Sequence, residues 1–255
     1  MTDTVVTTEV DGPVLLITIT RPEVKNAINR EVAEAIAAAL TQLDVTPGLV
    51  VGIITGAGGS FSAGMDLKAF AKGGNAHVPG RGFGGFAERP PDKPLIAAVE
   101  GFAYAGGLEL ALGCDLIFAA DNAKFGIPEA KRGLVAGAGA LLRLPHRIPF
   151  GLAMELALTG DPIDAARAYA VGLVDHLTPA GGALDAARGL AAAIGANAPL
   201  AVKRSKQILR GGLGLTETEF WEFQKPFTRE IFVSNDAREG AIAFGEKRPP
   251  KWTGT

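Results

Sequence analysis

Apolar and polar positions change period several times along the chain, and each change marks an element. Val14 to Thr20 is a β-branched run closed by Arg21-Pro22 and reads as a strand. Asn29 stands where a helix cap would, and Val32, Ile36, Leu40 and Leu43 then recur at helical spacing until Pro47-Gly48. Three uninterrupted apolar runs follow, Leu49 to Thr55, Leu95 to Val99 and Leu116 to Ala120. Runs without alternation belong to strands covered on both faces. Between the last two, Gly106-Gly107 open a short helix through Leu108, Glu109, Leu110, Ala111 and Leu112. Strand–helix–strand recurrence predicts an α/β fold with crossover connections.

From Gly133 onward the period is helical. Leu152 to Leu158 and Ala165 to Val171 are short helical runs on either side of the Gly160-Asp161-Pro162 turn. Leu184 to Ile194 and Leu200 to Leu209 read as longer amphipathic helices. Thr216 to Val233 reads as another, interrupted at Pro226. It carries Phe220, Trp221, Phe223, Phe227 and Phe232, a density of aromatics expected to pack on a large surface, the chain's own core or a second subunit. Ala71 to Pro94 breaks every period with Gly and Pro. It reads either as a solvated loop or as a lid over a pocket, with Phe83 and Phe86 as its apolar contacts.

Composition narrows the class. The chain has 255 residues, 47% apolar and 20% charged, with a net charge of -2. That is an ordinary globular balance, and it gives no reason to expect nucleic acid or an anionic membrane as partner. One cysteine, Cys114, excludes an internal disulfide framework and fits a reducing compartment, so a cytoplasmic location is expected. In its apolar setting Cys114 reads as an inert buried thiol. The N-terminal MTDTVVTTEVDG lacks a signal peptide's basic and apolar regions, and no apolar run approaches the roughly 18 residues of a membrane span. His77, His146 and His176 are too scattered to predict a metal site.

Two motif readings fail on single residues. Thr55 to Gly64 is a glycine-rich turn after a strand, but a dinucleotide fingerprint would need glycine at Phe61. A serine nucleophile elbow would need glycine at Ser60. The stretch Val99 to Arg132 carries more chemistry. Gly106 heads a helix whose first N–H groups have no internal partner, so its amide is a candidate donor to a developing oxyanion. Glu109 lies one turn on, and Glu129 follows a second apolar strand and Pro128. Glu109 could be a solvated helix residue and Glu129 a helix-start cap. An unpaired charge within the apolar run 108–112 is costly, however, which favours a functional Glu109. Two acids and one anion-stabilising amide are what proton transfer beside a carbonyl requires.

Together these segments resemble the enoyl-CoA hydratase/isomerase (crotonase) superfamily over nearly the whole length. The resemblance rests on Arg21-Pro22 with Asn26-Ala27, FSAGMDLK (61–68), KPLIAAVEGFAYAGGLELALGCD (93–115), FGIPEAKRGL (125–134), LTGDPI, AVGLVD and AFGEKR. It implies an α/β crotonase (ClpP-like) spiral of ββα units over residues 1–195, and a helical oligomerisation region over 196–255 that supports trimers or hexamers. It also implies an oxyanion hole built from the N–H groups of Met65 and Gly106. Glu109 and Glu129 stand at the hydratases' two catalytic glutamates. Coenzyme A would be gripped by Ala63, Gly64, Met65, Asp66, Leu67 and Lys68, with Gly106 and Gly107, and by Phe244 and Lys247, sometimes across a subunit boundary. The implied reaction is reversible hydration of a 2-enoyl-CoA in fatty-acid β-oxidation, with an acyl-CoA substrate and no metal or separate cofactor. The fullest resemblance within the family is to the carnitinyl-CoA dehydratases. Their reaction, double-bond isomerisation and non-catalytic acyl-CoA binding stay open as alternatives. Two departures, Ala105 for a common glycine and Ala136 to Ala140 (AGAGA) for a more usual P-G-x-G-G, bear on acyl-pocket shape.

Overall fold

A six-stranded sheet with helices on both faces forms the centre of the structure, a computed structural model that describes residues 4–255. The leader reading falls partly on residues 1–3, outside the described residues. In chain order the elements are β1 (Val6–Asp11), β2 (Val14–Ile19), α1 (Arg30–Val45), β3 (Val51–Gly56), α2 (Leu67–Ala71), β4 (His77–Val78), β5 (Gly82–Phe83), β6 (Leu95–Val99), β7 (Phe102–Tyr104), α3 (Gly106–Gly113) and β8 (Leu116–Ala120). They continue as β9 (Lys124–Gly126), α4 (Ala140–Arg147), α5 (Phe150–Thr159), β10 (Ile163–Asp164), α6 (Ala165–Ala170), β11 (His176–Thr178), α7 (Ala183–Gly195), α8 (Pro199–Gly211), α9 (Glu217–Phe232) and α10 (Asn235–Glu246). The large sheet has the order β1-β2-β3-β6-β8-β11, antiparallel only between β1 and β2.

The strands are apolar throughout because each face has its own core. Leu15, Ile17, Ile54, Leu95, Ala97, Val99, Ile117 and Ala119 point to the side of α1 and α3. Leu16, Ile53, Ile96, Ala98 and Phe118 point the other way, onto Ala183, Ala187 and Ala191 of α7. Alanines four residues apart let that helix lie close to the sheet. Asn29 caps α1 as expected, its side chain accepting the Val32 N–H at 3.0 Å.

The spiral arises because strands of the large sheet continue into a second, small sheet, β10-β9-β7. β6 turns at Gly101 into β7, α3 returns the chain to β8, and β8 passes into β9. The extended segment after β3 repeats the step: Ser62 bridges Ala103 of β7, and the Tyr104 N–H donates to Ser62 O at 3.0 Å. These are the ββα units that the resemblance implies.

Some sequence expectations need correction. α9 runs unbroken through Pro226. A capping box at Thr216 and Glu219 holds its start, while Phe220 and Phe223 pack on Gly212 and Gly211 at the end of α8, which carries the helix past the missing hydrogen bond. Residues 71–94 divide: 71–80 are mostly exposed, as a solvated loop would be, whereas 82–87 are buried. Phe83 and Phe86 are buried in the main core, and Phe86 lies against Gly113 of α3. Cys114 falls just past α3 rather than within it, and burial pushes its thiol up to about 12, which keeps it unreactive.

The far end of α3 is fastened to the C-terminal helices. The Asp115 carboxylate accepts the Leu95 N–H at 2.8 Å and pairs with Lys206 Nζ at 2.7 Å and Arg210 Nε at 2.8 Å, both from α8. Lys206, itself buried, also donates to Lys93 O, and Arg210 to Gly113 O.

Candidate active site

The segment Phe61 to Asp66 is held by side chains whose roles the sequence did not reveal. Asn26 donates to Ala57 O at 2.8 Å and Ser60 O at 2.7 Å. Ser62 Oγ donates to Asn26 O at 2.8 Å and accepts the Gly64 N–H at 3.0 Å. Ile28 pairs with Met65 by donating to Gly64 O and accepting from Asp66 N–H, a register that leaves the Met65 N–H pointing away from the pair. Both residues sit in the quoted motifs, and a small polar side chain inside an apolar stretch was the available signal.

Gly64 brings this segment against α3. A Cβ on Gly64 would lie 2.6 Å from Gly106 N and 2.8 Å from Tyr104 O, and its φ of +86° is one that side-chain-bearing residues avoid. A Cβ on Gly106 would run into the Phe83 ring at 2.5 Å. Glycine at both positions sets the Met65 and Gly106 amides side by side. Among the described residues neither N–H donates a hydrogen bond. Gly106 is the first residue of α3, where the helix supplies no acceptor and the dipole adds positive character. The turn before it is strained: Ala105 has φ +51° and ψ -129°, a conformation suited to glycine.

Glu109 lies on α3, all of whose residues are buried, and is itself 3% exposed. Its Oε1 accepts the N–H of Ala138 at 2.6 Å and of Ala140 at 3.1 Å, the latter at the start of α4. The AGAGA segment therefore acts through backbone donors, which side-chain reading could not identify. Burial raises the Glu109 carboxyl above its usual range, although both amides and the charges of Arg143 and His77 oppose the rise. Glu129 is the second residue of a 3-10 turn over Pro128–Arg132. Its Oε2 is buried with no hydrogen-bond partner. Burial, with a further contribution from the charge on Glu109, pushes its carboxyl up to about 7, against the opposing pull of its own N–H and Arg132. The two acids thus feel each other, the charge on Glu109 adding to the rise at Glu129. This pair next to two vacant amides can stabilise an enolate and move a proton.

The remaining expected residues divide. Ala63, Gly64, Met65 and Asp66 line the half-buried approach to the amides, with Leu67 and Lys68 exposed beyond them and Gly107 tight against Ser62 O. Burial would raise Asp66, but the Ala69 N–H and the Arg21 guanidinium, 3.2 Å away, hold it below the usual carboxylate range. Phe244 and Lys247 are not brought to this cleft within one chain. They sit at the exposed end of α10, which packs on α9, and Phe244 is 87% exposed. Of the basic C-terminal run, Arg248 is already paired with Glu239, at 2.6 and 3.0 Å, and with Glu246. Among the described residues no cluster of His, Cys, Asp and Glu could hold a metal ion.

Comparison with known proteins agrees with this architecture. The enoyl-CoA hydratase/isomerase family matches residues 9–255. A Mycobacterium tuberculosis protein named enoyl-CoA hydratase EchA19 is 41% identical over 252 residues, 94% of this chain and 93% of its own. A carnitinyl-CoA dehydratase from Salmonella arizonae is 41% identical over 253 residues, 96% of each chain. The crystal structure of enoyl-CoA hydratase EchA1 from Mycobacterium marinum superposes with a TM-score of 0.97 at 59% identity, covering 99% of this chain and 100% of that one. The chain belongs to the enoyl-CoA hydratase/isomerase family and has the crotonase fold.

Proposed function

We propose that the chain catalyses the reversible syn addition of water to a 2-enoyl-CoA thioester, giving a 3-hydroxyacyl-CoA. What supports this reading is the pair of amides, Met65 and Gly106, that donate no hydrogen bond among the described residues, together with two glutamates whose carboxyls burial raises. The amides hold the thioester oxygen and stabilise charge as it develops there. Ionised Glu109, held by Ala138 and Ala140, orients the water and takes its proton. Protonated Glu129 delivers a proton at C2. The thioester is the electron sink, so these residues need neither metal nor separate cofactor.

Ala63 to Lys68 and Gly107 are the proposed coenzyme A cleft, completed by Phe244 and Lys247 of a second copy. Exposed Phe232, Val233 and Phe244 support a trimer, or two trimers paired, with the region 196–255 at the subunit contacts. The proposed setting is cytoplasmic fatty-acid β-oxidation; among the described residues no helix is long and apolar enough to cross a membrane.

A second reading, carnitinyl-CoA dehydration, is favoured by the 41%-identical relative of that name. Loss of enoyl absorbance on a thioester panel including crotonyl-CoA and crotonobetainyl-CoA decides between them. Turnover of crotonyl-CoA without incorporation of solvent oxygen would refute hydration, and turnover of crotonobetainyl-CoA alone would establish the second reading.

A further inference from the structure

Arg143 of α4 is a partly buried cation to which the machinery above gives no part. Its guanidinium makes no ion pair among the described residues and is directed at two backbone carbonyls instead. Nη1 donates to Ala138 O at 3.4 Å and Nη2 to Ala87 O at 2.5 Å. Ala138 is one of the two residues whose N–H groups hold Glu109 Oε1. Ala87 ends the buried stretch 82–87, in which Phe83 lies against Gly106 and Phe86 against Gly113, the two ends of α3. The arginine thus ties the turn that grips Glu109 to the segment that packs along the helix carrying Glu109. Gly139, between the two gripping residues, is shaped to admit it. Its φ is +110°, and a Cβ there would come within 2.2 Å of Nη1.

Two carbonyls could be served by neutral donors, and a cation drawn out of water without a paired anion is costly. Burial and the charge of Arg210 on α8 disfavour the cation at this place, and the charge of Glu109 favours it. The adjacent Cys114 thiol is held neutral by burial. At Glu109 burial raises the carboxyl. The Ala140 and Ala138 amides oppose that rise, then the charge of Arg143, then that of His77 on β4. Glu129, on the 3-10 turn, is the acid coupled to it. We propose that Arg143 is a positioning residue for Glu109: its planar fork fixes the turn whose two amides grip Oε1, and its guanidinium lends positive charge to that carboxylate. The inference rests on the hydratase reading, in which Glu109 takes the proton of water, and adds a residue to it.

Arg143→Met removes both fork and charge, whereas Arg143→Lys keeps the charge and loses the fork. Both leave His77 and Glu129 in place. Hydration of crotonyl-CoA is followed across pH on the full-length proteins, with circular dichroism to confirm folding. Arg143→Met should lose about 10²-fold in kcat at neutral pH while KM stays within a few-fold, as expected of a misplaced catalytic group. The acid limb of its profile, where Glu109 gains a proton, should move to higher pH, because a charge favouring the ionised form is gone. Arg143→Lys should keep that limb in place and recover part of the rate. If the methionine variant does not fold, Arg143→Gln, which retains an amide donor, serves the same comparison. An acid limb that stays put in the neutral variant, or moves equally in the lysine variant, would reduce Arg143 to a structural residue and overturn the inference. The same contrast should appear without turnover in the carboxyl carbon-13 resonance that Glu109→Gln removes. A protein that hydrates no enoyl-CoA would refute the hydratase reading, and that resonance would still decide this one: identical titration in the unmodified, methionine and lysine proteins would overturn it.

Discussion

Glu129→Gln should make the protein more stable and nearly inactive, and pH should separate the two effects. The carboxyl is raised from 4.5 to about 7, with burial the largest cause, so between those values the folded chain holds a proton that the unfolded chain releases. Stability therefore falls as pH rises through this window, and the loss is complete above pH 7. A rise of this size is worth about 3 kcal/mol at most, and the half-exposed side chain trims it. Gln keeps the shape and cannot ionise. Melting curves of the two proteins should coincide near pH 4.5 and diverge by roughly 5–10 °C at pH 8.5, the variant higher, for a chain of this length. Its kcat for hydration should drop about 10²–10⁴-fold below pH 7, and the gap should narrow as pH rises above that. In the unmodified enzyme, kcat should fall above pH 7 as Glu129 loses its proton, and again in acid as Glu109 gains one. Melting curves that stay parallel from pH 4.5 to 8.5 would refute the reasoning about the buried Oε2.

Glu109→Gln should also cost about 10²–10⁴-fold in kcat while octanoyl-CoA affinity stays within a few-fold; near-normal hydration would remove Glu109 from the mechanism. Gly64→Ala should press a methyl on the Gly106 amide and cost at least about 10²-fold in kcat, with circular dichroism confirming a folded protein. Ala105→Gly should relieve the positive φ and raise stability by about 1 kcal/mol, read as a rise of roughly 2–4 °C in Tm; a lower Tm would show that the turn is not strained. Light scattering should give three chains per particle or a multiple of three, and an active monomer would contradict the proposed contribution of Phe244 and Lys247 from a second copy.

Legibility followed the physical origin of each feature. Strands 14–20, 49–55, 95–99 and 116–120 were readable because double-sided burial demands an unbroken apolar run. β7, β9 and β10 were not, since two- and three-residue strands are set by pairing across the spiral and leave no period of their own. The exposed edge strand β1 and the terminal helix α10 were missed for a related reason, having little buried surface to pattern them. Glu109 and Gly106 were legible as an acid in an apolar run and an amide at a helix start. The donors holding Glu109, the Ala138 and Ala140 amides, belong to backbone shape and carry no side-chain signature. Pro226 misled because the proline rule is local, whereas the packing of Phe220 and Phe223 on α8 is not.

The fastening of α3 has a consequence for how the site comes into being. Its first residue is placed by a segment some forty positions earlier, whereas the charge at its far end, Asp115, meets its cations 91 and 95 positions later, at Lys206 and Arg210. Such separation makes closure slow, and a half-buried carboxylate awaiting its partners is costly. A nascent chain that has emerged only through α7 holds both glutamates and both amides, yet Asp115 still lacks the two cations of α8. The order of synthesis thus puts the completion of the site among the last events of folding, after α8 has docked.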